Sequence, residues 1–155
     1  MRTLTTVKDV LLDPDSGKVV AFVVNESKNE IIVPMDVIKW DIALIIHGHG
    51  DIVDGDEVVR VERIQRNGRY YIEARVETES GEKLGKVYDL AIDTKEEKVH
   101  NLWVAKGILG LVRYNTRIIS VAKIIEVQEG KIIVEDSVIK VKTEEEARMK
   151  EPATT

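Results

Sequence analysis

The chain has 155 residues, enough for one ordinary domain or two very small ones. With 43% hydrophobic and 33% charged residues it describes a folded globular protein, and a net charge of −5 supplies no global field toward nucleic acid or anionic lipid. The absence of cysteine excludes disulfides, thiolate metal sites and cysteine nucleophiles.

Val and Ile dominate the apolar set, which favours strands, because branched side chains pack well on a pleated surface. The opening "MRTLTTVKD" has no apolar core of signal-peptide length, and no run approaches the ~20 residues of a membrane span, so a cytoplasmic protein is expected. "LLDPDSGKVVAFVV" (Leu11 to Val24) reads as a hairpin: Asp13 braces the turn, Pro14 presets φ and Gly17 accepts positive φ. A Ca²⁺ loop beginning at Asp13 would want oxygen at its fifth position, Gly at its sixth and Glu at its twelfth, where Gly17, Lys18 and Val24 stand. The acidic spacing is therefore turn chemistry.

"HGHGD" follows. On a strand it would set His47 and His49 on one face, with Asp51 able to join them as a Zn²⁺ or Ni²⁺ ligand set. The plainer reading is a Gly-rich loop with incidental histidines. "RVERIQRNGRYYIEAR" offers Arg60, Arg63, Arg66, Arg69 and Arg75 for phosphates, with Tyr70 and Tyr71 for stacking. Glu57, Glu62, Glu73 and Glu77 interleave with them, so cross-strand Arg–Glu pairs on a solvated sheet face are the favoured expectation.

Beyond this, "RVETESGEKLGKVYDLAID" predicts a hairpin turning at Ser80-Gly81, and "LAIDTKEEKVHNLWV" a second one. "AKGILGLVRYNTR" is an apolar, Gly-flanked segment. It either caps a barrel, the favoured expectation, or presents a partner-binding patch of Trp103, Ile108, Leu109, Leu111 and Tyr114. "RIISVAKIIEVQEGKIIVED" predicts a strand, a single turn near Val121 to Ile125 and a hairpin at Glu129-Gly130. In "TEEEARMK", Thr143 and Glu146 have capping-box spacing, so a short frayed helix is expected before the loose "EPATT" tail.

The chain also repeats itself. Val7 to Val24 aligns on Val87 to Val104, 80 positions later, with identities at Val7/Val87, Asp9/Asp89, Asp13/Asp93, Lys18/Lys98, Val19/Val99 and Val24/Val104. "IIVPMDVIKWDIALII" then aligns on "IISVAKIIEVQEGKII" at an offset of 87, and "VVRVE" on "VIKVK" at 80 again. The matched Asp9 and Asp89 suggest a hydrogen bond bracing a turn, one in each copy, and not an acid–base pair. The segments around "GILGLVR" and "HGHGDIVDGD" are extra loops on a shared framework. Nucleophile, zincin and P-loop motifs are absent, and no cofactor is expected.

Gly81, Gly85, Val87 and Asp89, the Asp13 to Lys18 hairpin and the Pro34 to Asp36 turn together resemble the PRC-barrel domain, as two tandem copies. The resemblance implies an all-β protein of two small, partly open antiparallel barrels: residues 1–62 and 63–142, then a polar tail, 143–155. It implies a non-catalytic adaptor or assembly module acting through protein–protein contacts, in a family that also includes a ribosome maturation factor. A ribosome- or RNA-associated role is the second expectation and metal binding through "HGHGD" the third. The first copy lacks its first strand, which leaves an edge to be covered by the 69–77 strand or by a second protomer.

Overall fold

The computed structural model describes residues 2–66, 71–108 and 111–139. The first half runs β1 (Asp9–Leu12), β2 (Val19–Asn25), β3 (Glu30–Ile32), a 3-10 turn at Pro34–Asp36, β4 (Lys39–Trp40), β5 (Leu44–Ile45), β6 (Val53–Asp54) and α1 (Val59–Arg66). The second half runs β7 (Arg75–Thr78), β8 (Lys83–Asp93), β9 (Lys98–Ile108), β10 (Val112–Ser120), a 3-10 turn at Val121–Lys123, β11 (Ile124–Gln128) and β12 (Lys131–Val134). The strands form a four-stranded sheet in the order β1-β2-β3-β6, a six-stranded sheet in the order β10-β9-β8-β7-β12-β11, and the small β4–β5 ladder. The chain is mostly β, as expected, and no sheet closes into a barrel among the described residues. No helix among them is long and apolar enough to cross a membrane.

Local turn chemistry sets the two long hairpins. Asp13 accepts the N–H groups of Asp15 (3.0 Å) and Ser16 (2.9 Å), and Gly17 follows at φ 70°. In the β8–β9 turn, Asp93 accepts the N–H groups of Lys95 (2.8 Å) and Glu96 (3.0 Å), and Glu97 follows at φ 53°. Further back, Asp9 accepts from Val10 N–H and Asp89 from Leu90 N–H, both at 2.8 Å. The two turns also bond to one another: Val19 N–H donates to the Glu97 carbonyl (2.8 Å), and Val99 N–H donates to the Gly17 carbonyl (2.9 Å). A Cβ on Gly17 would stand 2.8 Å from Val99 Cγ1, so this approach requires glycine.

One buried cluster draws on both halves, with Phe22, Val24 and Ile32 from the first and Val87, Leu102, Val104, Ile119 and Ile132 from the second. A smaller cluster lies on the other face of the first sheet, where Val61 and Ile64 of α1 cover Val20, Ala21, Val23 and Ile31. Burial on both faces explains the unbroken apolar run "VVAFVV" of β2.

Three expectations change here. Residues 59–66 form a helix, not part of a sheet face, because Val61 and Ile64 find an apolar sheet to cover. The division expected between residues 62 and 63 falls inside that helix. β7 pairs with β8 and β12, so it does not cover the outer edge of β1. The expected C-terminal helix and tail, 143–155, lie outside the described residues.

β8 serves two neighbours, pairing with β7 through Lys83–Lys86 and with β9 through Lys86–Asp93. Gly85 stands where the strand changes partner, at φ 122°, and any Cβ there would collide with the Ala105 carbonyl. Gly85→Ala is therefore expected to destabilise the protein by on the order of 3 kcal/mol in urea unfolding, combining backbone strain with overpacking. Gly50→Ala, whose Cβ would meet nothing within 4 Å, should stay within about 0.5 kcal/mol of the parent.

Candidate functional site

The extra residues of the second half do not cap a barrel. They lengthen the β9–β10 hairpin into an arm, where Val112, Arg113 and Tyr114 pair with Ile108, Gly107 and Lys106. Strand alternation places Ile108, Val112 and Tyr114 on one face, continuing the side of β9 that buries Leu102 and Val104 further back. Beyond the core that face has nothing to cover it among the described residues: Ile108 is 59% exposed, Val112 59% and Tyr114 43%, and Leu111 at the turn is 85% exposed. The reverse face carries Arg113, whose guanidinium carbon lies 4.3 Å from the Tyr88 ring centroid, a cation–π contact that ties the arm to β8.

Of the five residues expected to meet a partner, Ile108 and Tyr114 thus share a face, and Leu111 sits at the tip. Trp103 is half-buried on the opposite face, across the ladder from Ile118, and Leu109 lies outside the described residues. Val112 is not distinguished by the sequence pattern, and only the strand register brings it beside Ile108. Under the arm, a cleft of about 720 Å³ collects Arg75, Lys83, Lys86, Lys106 and Arg113 around Tyr88. Its charge is partly answered, since Glu73 and Glu77 also line it and Glu73 lies 4.0 Å from Lys86.

The expected metal set does not assemble. His49–Asp51 is a 3-10 turn after Gly48, so the alternation that would align His47 with His49 is broken. Asp51 instead folds back on His47, accepting its backbone N–H at 2.7 Å and lying 3.1 Å from Nδ1. That backbone N–H is the main reason its carboxyl titrates below the usual range. Among the described residues no three His, Asp or Glu side chains converge on a metal position.

Nor does the arginine-rich segment form a phosphate-binding strand. Arg60 lies on α1 and pairs with Asp13 Oδ2 at 2.7 Å, which fastens the helix to the β1–β2 turn. Arg63 is on the same helix; Arg69, Tyr70 and the Arg66 side chain lie outside what is described. Tyr71 is buried, and its hydroxyl donates to the Pro14 carbonyl at 3.5 Å. Burial first, then the charges of Asp13 and Asp15, push its pKa up to about 12. It is a core residue, not a stacking platform.

The Arg60 guanidinium, helped by the Ser16 and Asp15 N–H groups, holds the Asp13 carboxyl down at about 2. A depressed carboxylate stabilises the fold fully above its unfolded value, and this stabilisation fades as pH falls toward 2. Arg60→Ala should raise the Asp13 midpoint toward, but not to, the ordinary range, because the turn N–H groups remain; carboxyl-carbon NMR titration measures this. At neutral pH the loss of stability should be below about 1 kcal/mol, since Arg60 is 60% exposed, and it should vanish in strong acid.

Comparison with known proteins returns one family and no curated protein that matches the chain. Residues 67–139 match the family model of the PRC-barrel domain, which supports that family for the second half of the chain.

Proposed function

We propose that the protein is a non-catalytic adaptor or assembly module of the PRC-barrel type, built as a tandem duplication and working in the cytoplasm through protein–protein contact. The duplication is supported by the matched turn aspartates Asp13 and Asp93, by the matched strand aspartates Asp9 and Asp89, each of which accepts the next residue's N–H and braces no turn, and by the 3-10 turns at Pro34–Asp36 and Val121–Lys123, which sit 87 positions apart.

The observation that carries the interaction reading is the arm. It carries Ile108, Leu111, Val112 and Tyr114 on a two-stranded ladder. Fully burying one such aliphatic side chain releases roughly 1.5–3 kcal/mol, so a partner that covers the arm gains most of the energy a modest interface needs.

Partners recovered from native lysate with the tagged protein should survive nuclease treatment. Ile108→Asp and Leu111→Asp should each reduce that recovery at least tenfold and leave the thermal midpoint unchanged, because both side chains face solvent in the isolated chain. Recovery that disappears with nuclease would move the site to the basic cleft beneath the arm and favour the RNA-associated role.

A further inference from the structure

The second half is built around β7. This strand lies antiparallel to β8 and parallel to β12, and it buries Val76 and Thr78. In the first half residues 3–7 and β5 stand where those neighbours would be, and among the described residues no strand lies between them. Residues 3–7 stand 80 positions before Lys83–Val87, belong to no strand, and make no backbone hydrogen bond to another described residue. Backbone pairing in that segment begins with Lys8 N–H, which donates to the Val23 carbonyl at 2.7 Å.

On the other side, Leu44 and Ile46 take the places of Ile132 and Val134, one position off the sequence alignment, because Leu44 pairs with Trp40 as Ile132 pairs with Val127. Both pack toward the core, and among the described residues β5 is paired on one edge only, with β4. Between the two unpaired edges runs a groove of about 590 Å³, walled by residues 2–7 and 40–46 and floored by Val10, Phe22, Val24 and Ile32. Trp40 stands in its wall, edge-on to Phe22 with ring centroids 4.9 Å apart, and Ile42 on the rim is 101% exposed.

We propose that this groove is a binding site for an extended strand of a partner protein, which enters antiparallel to residues 3–7 and parallel to residues 44–46. Two open backbone edges over an apolar floor recognise a strand, and main-chain hydrogen bonds supply much of its affinity. β7 shows the chemistry of the occupant: β-branched residues at alternate positions facing inward, as Val76 and Thr78 do. The charges differ between the halves. Beside β7, Lys86 faces Glu73 and Lys131 faces Glu77, whereas the groove walls carry Thr6 and Ala43 at the corresponding places. At those two places an acidic residue of the bound strand would find no cation to pair with, and the charges that line the groove are Arg2 and Asp41.

The segment from residue 140 onward is poorly suited, because it holds Glu144, Glu145, Glu146 and Pro152 and little apolar alternation. A second copy offering its own residues 3–7 would give up a wall of its own groove. The site involves no residue of the arm, so Ile108→Asp should leave it intact.

The probe is a synthetic peptide of the Tyr71–Ser80 sequence carrying Glu73→Thr and Glu77→Thr, titrated into the Trp103→Phe protein so that Trp40 alone reports. Saturable change in Trp40 emission is expected, together with hydrogen-exchange protection at Thr5, Val7, Leu44 and Ile46. The unsubstituted peptide should bind at least threefold more weakly, and one N-methylated at alternate amides should not bind. Thr5→Pro, placed ahead of β1, should weaken binding at least tenfold with an unchanged unfolding midpoint. Absence of binding, or equal binding of the N-methylated peptide, would overturn the proposal. So would protection in the protein alone that grows with concentration, which assigns the groove to a second copy. Protection of the protein alone that is lost on deleting residues 140–155 would overturn it too, by assigning the groove to the chain's own tail.

Discussion

Two backbone hydrogen bonds hold the halves in their relation. Val19 donates to Glu97 and Val99 donates to Gly17, so the two turns meet back to back through equivalent groups. Each turn is first made rigid by its own aspartate, Asp13 or Asp93, gathering two amides of the turn. Only a turn fixed in this way presents its carbonyl in one direction, and only a residue at positive φ can follow it. Gly17 meets that condition at no steric cost, whereas Glu97 accepts some strain. The shared core lies beyond this joint, with Val19 and Val99 leading into it from either side.

The hairpins were legible in the sequence because their determinants are local. Asp13 and Gly17, Ser80 and Gly81, and Glu129 and Gly130 each mark a turn that the structure contains. Helix α1 was not legible. Val59 and Val61 alternate as strand residues do, and the helix is defined by the sheet face it covers, which no local pattern announces. "HGHGD" fails for the opposite reason: Gly48 and a 3-10 turn break the alternation that would align its histidines. The arm was half legible. Its apolar residues were evident, but which of them share a face depends on register, and this separated Trp103 from Ile108 and Tyr114.

The exposed parts follow from how the strands are distributed. The second half has more strand than its core can cover, so the β9–β10 ladder runs out past Val104 with its apolar side still turned the same way. The first half has less, so a core of the same kind, under Val10, Phe22, Val24 and Ile32, is left with an opening. Surplus in one half and deficit in the other give the molecule two unlike apolar surfaces on a chain in which 33% of residues are charged.

The joint between the turns has a consequence for either half taken alone. A hairpin that offers the Val99 amide and the Glu97 carbonyl at its corner carries both halves of a reciprocal contact. Such a corner is self-complementary, the property that defines an isologous dimer interface. A fragment containing only β7 to β12 would expose it and find its best match in another fragment like itself. On the proposed duplication, carrying both corners in one polypeptide makes that contact intramolecular, independent of concentration, and leaves each half to shape its outer surface differently while the corner between them stays the same.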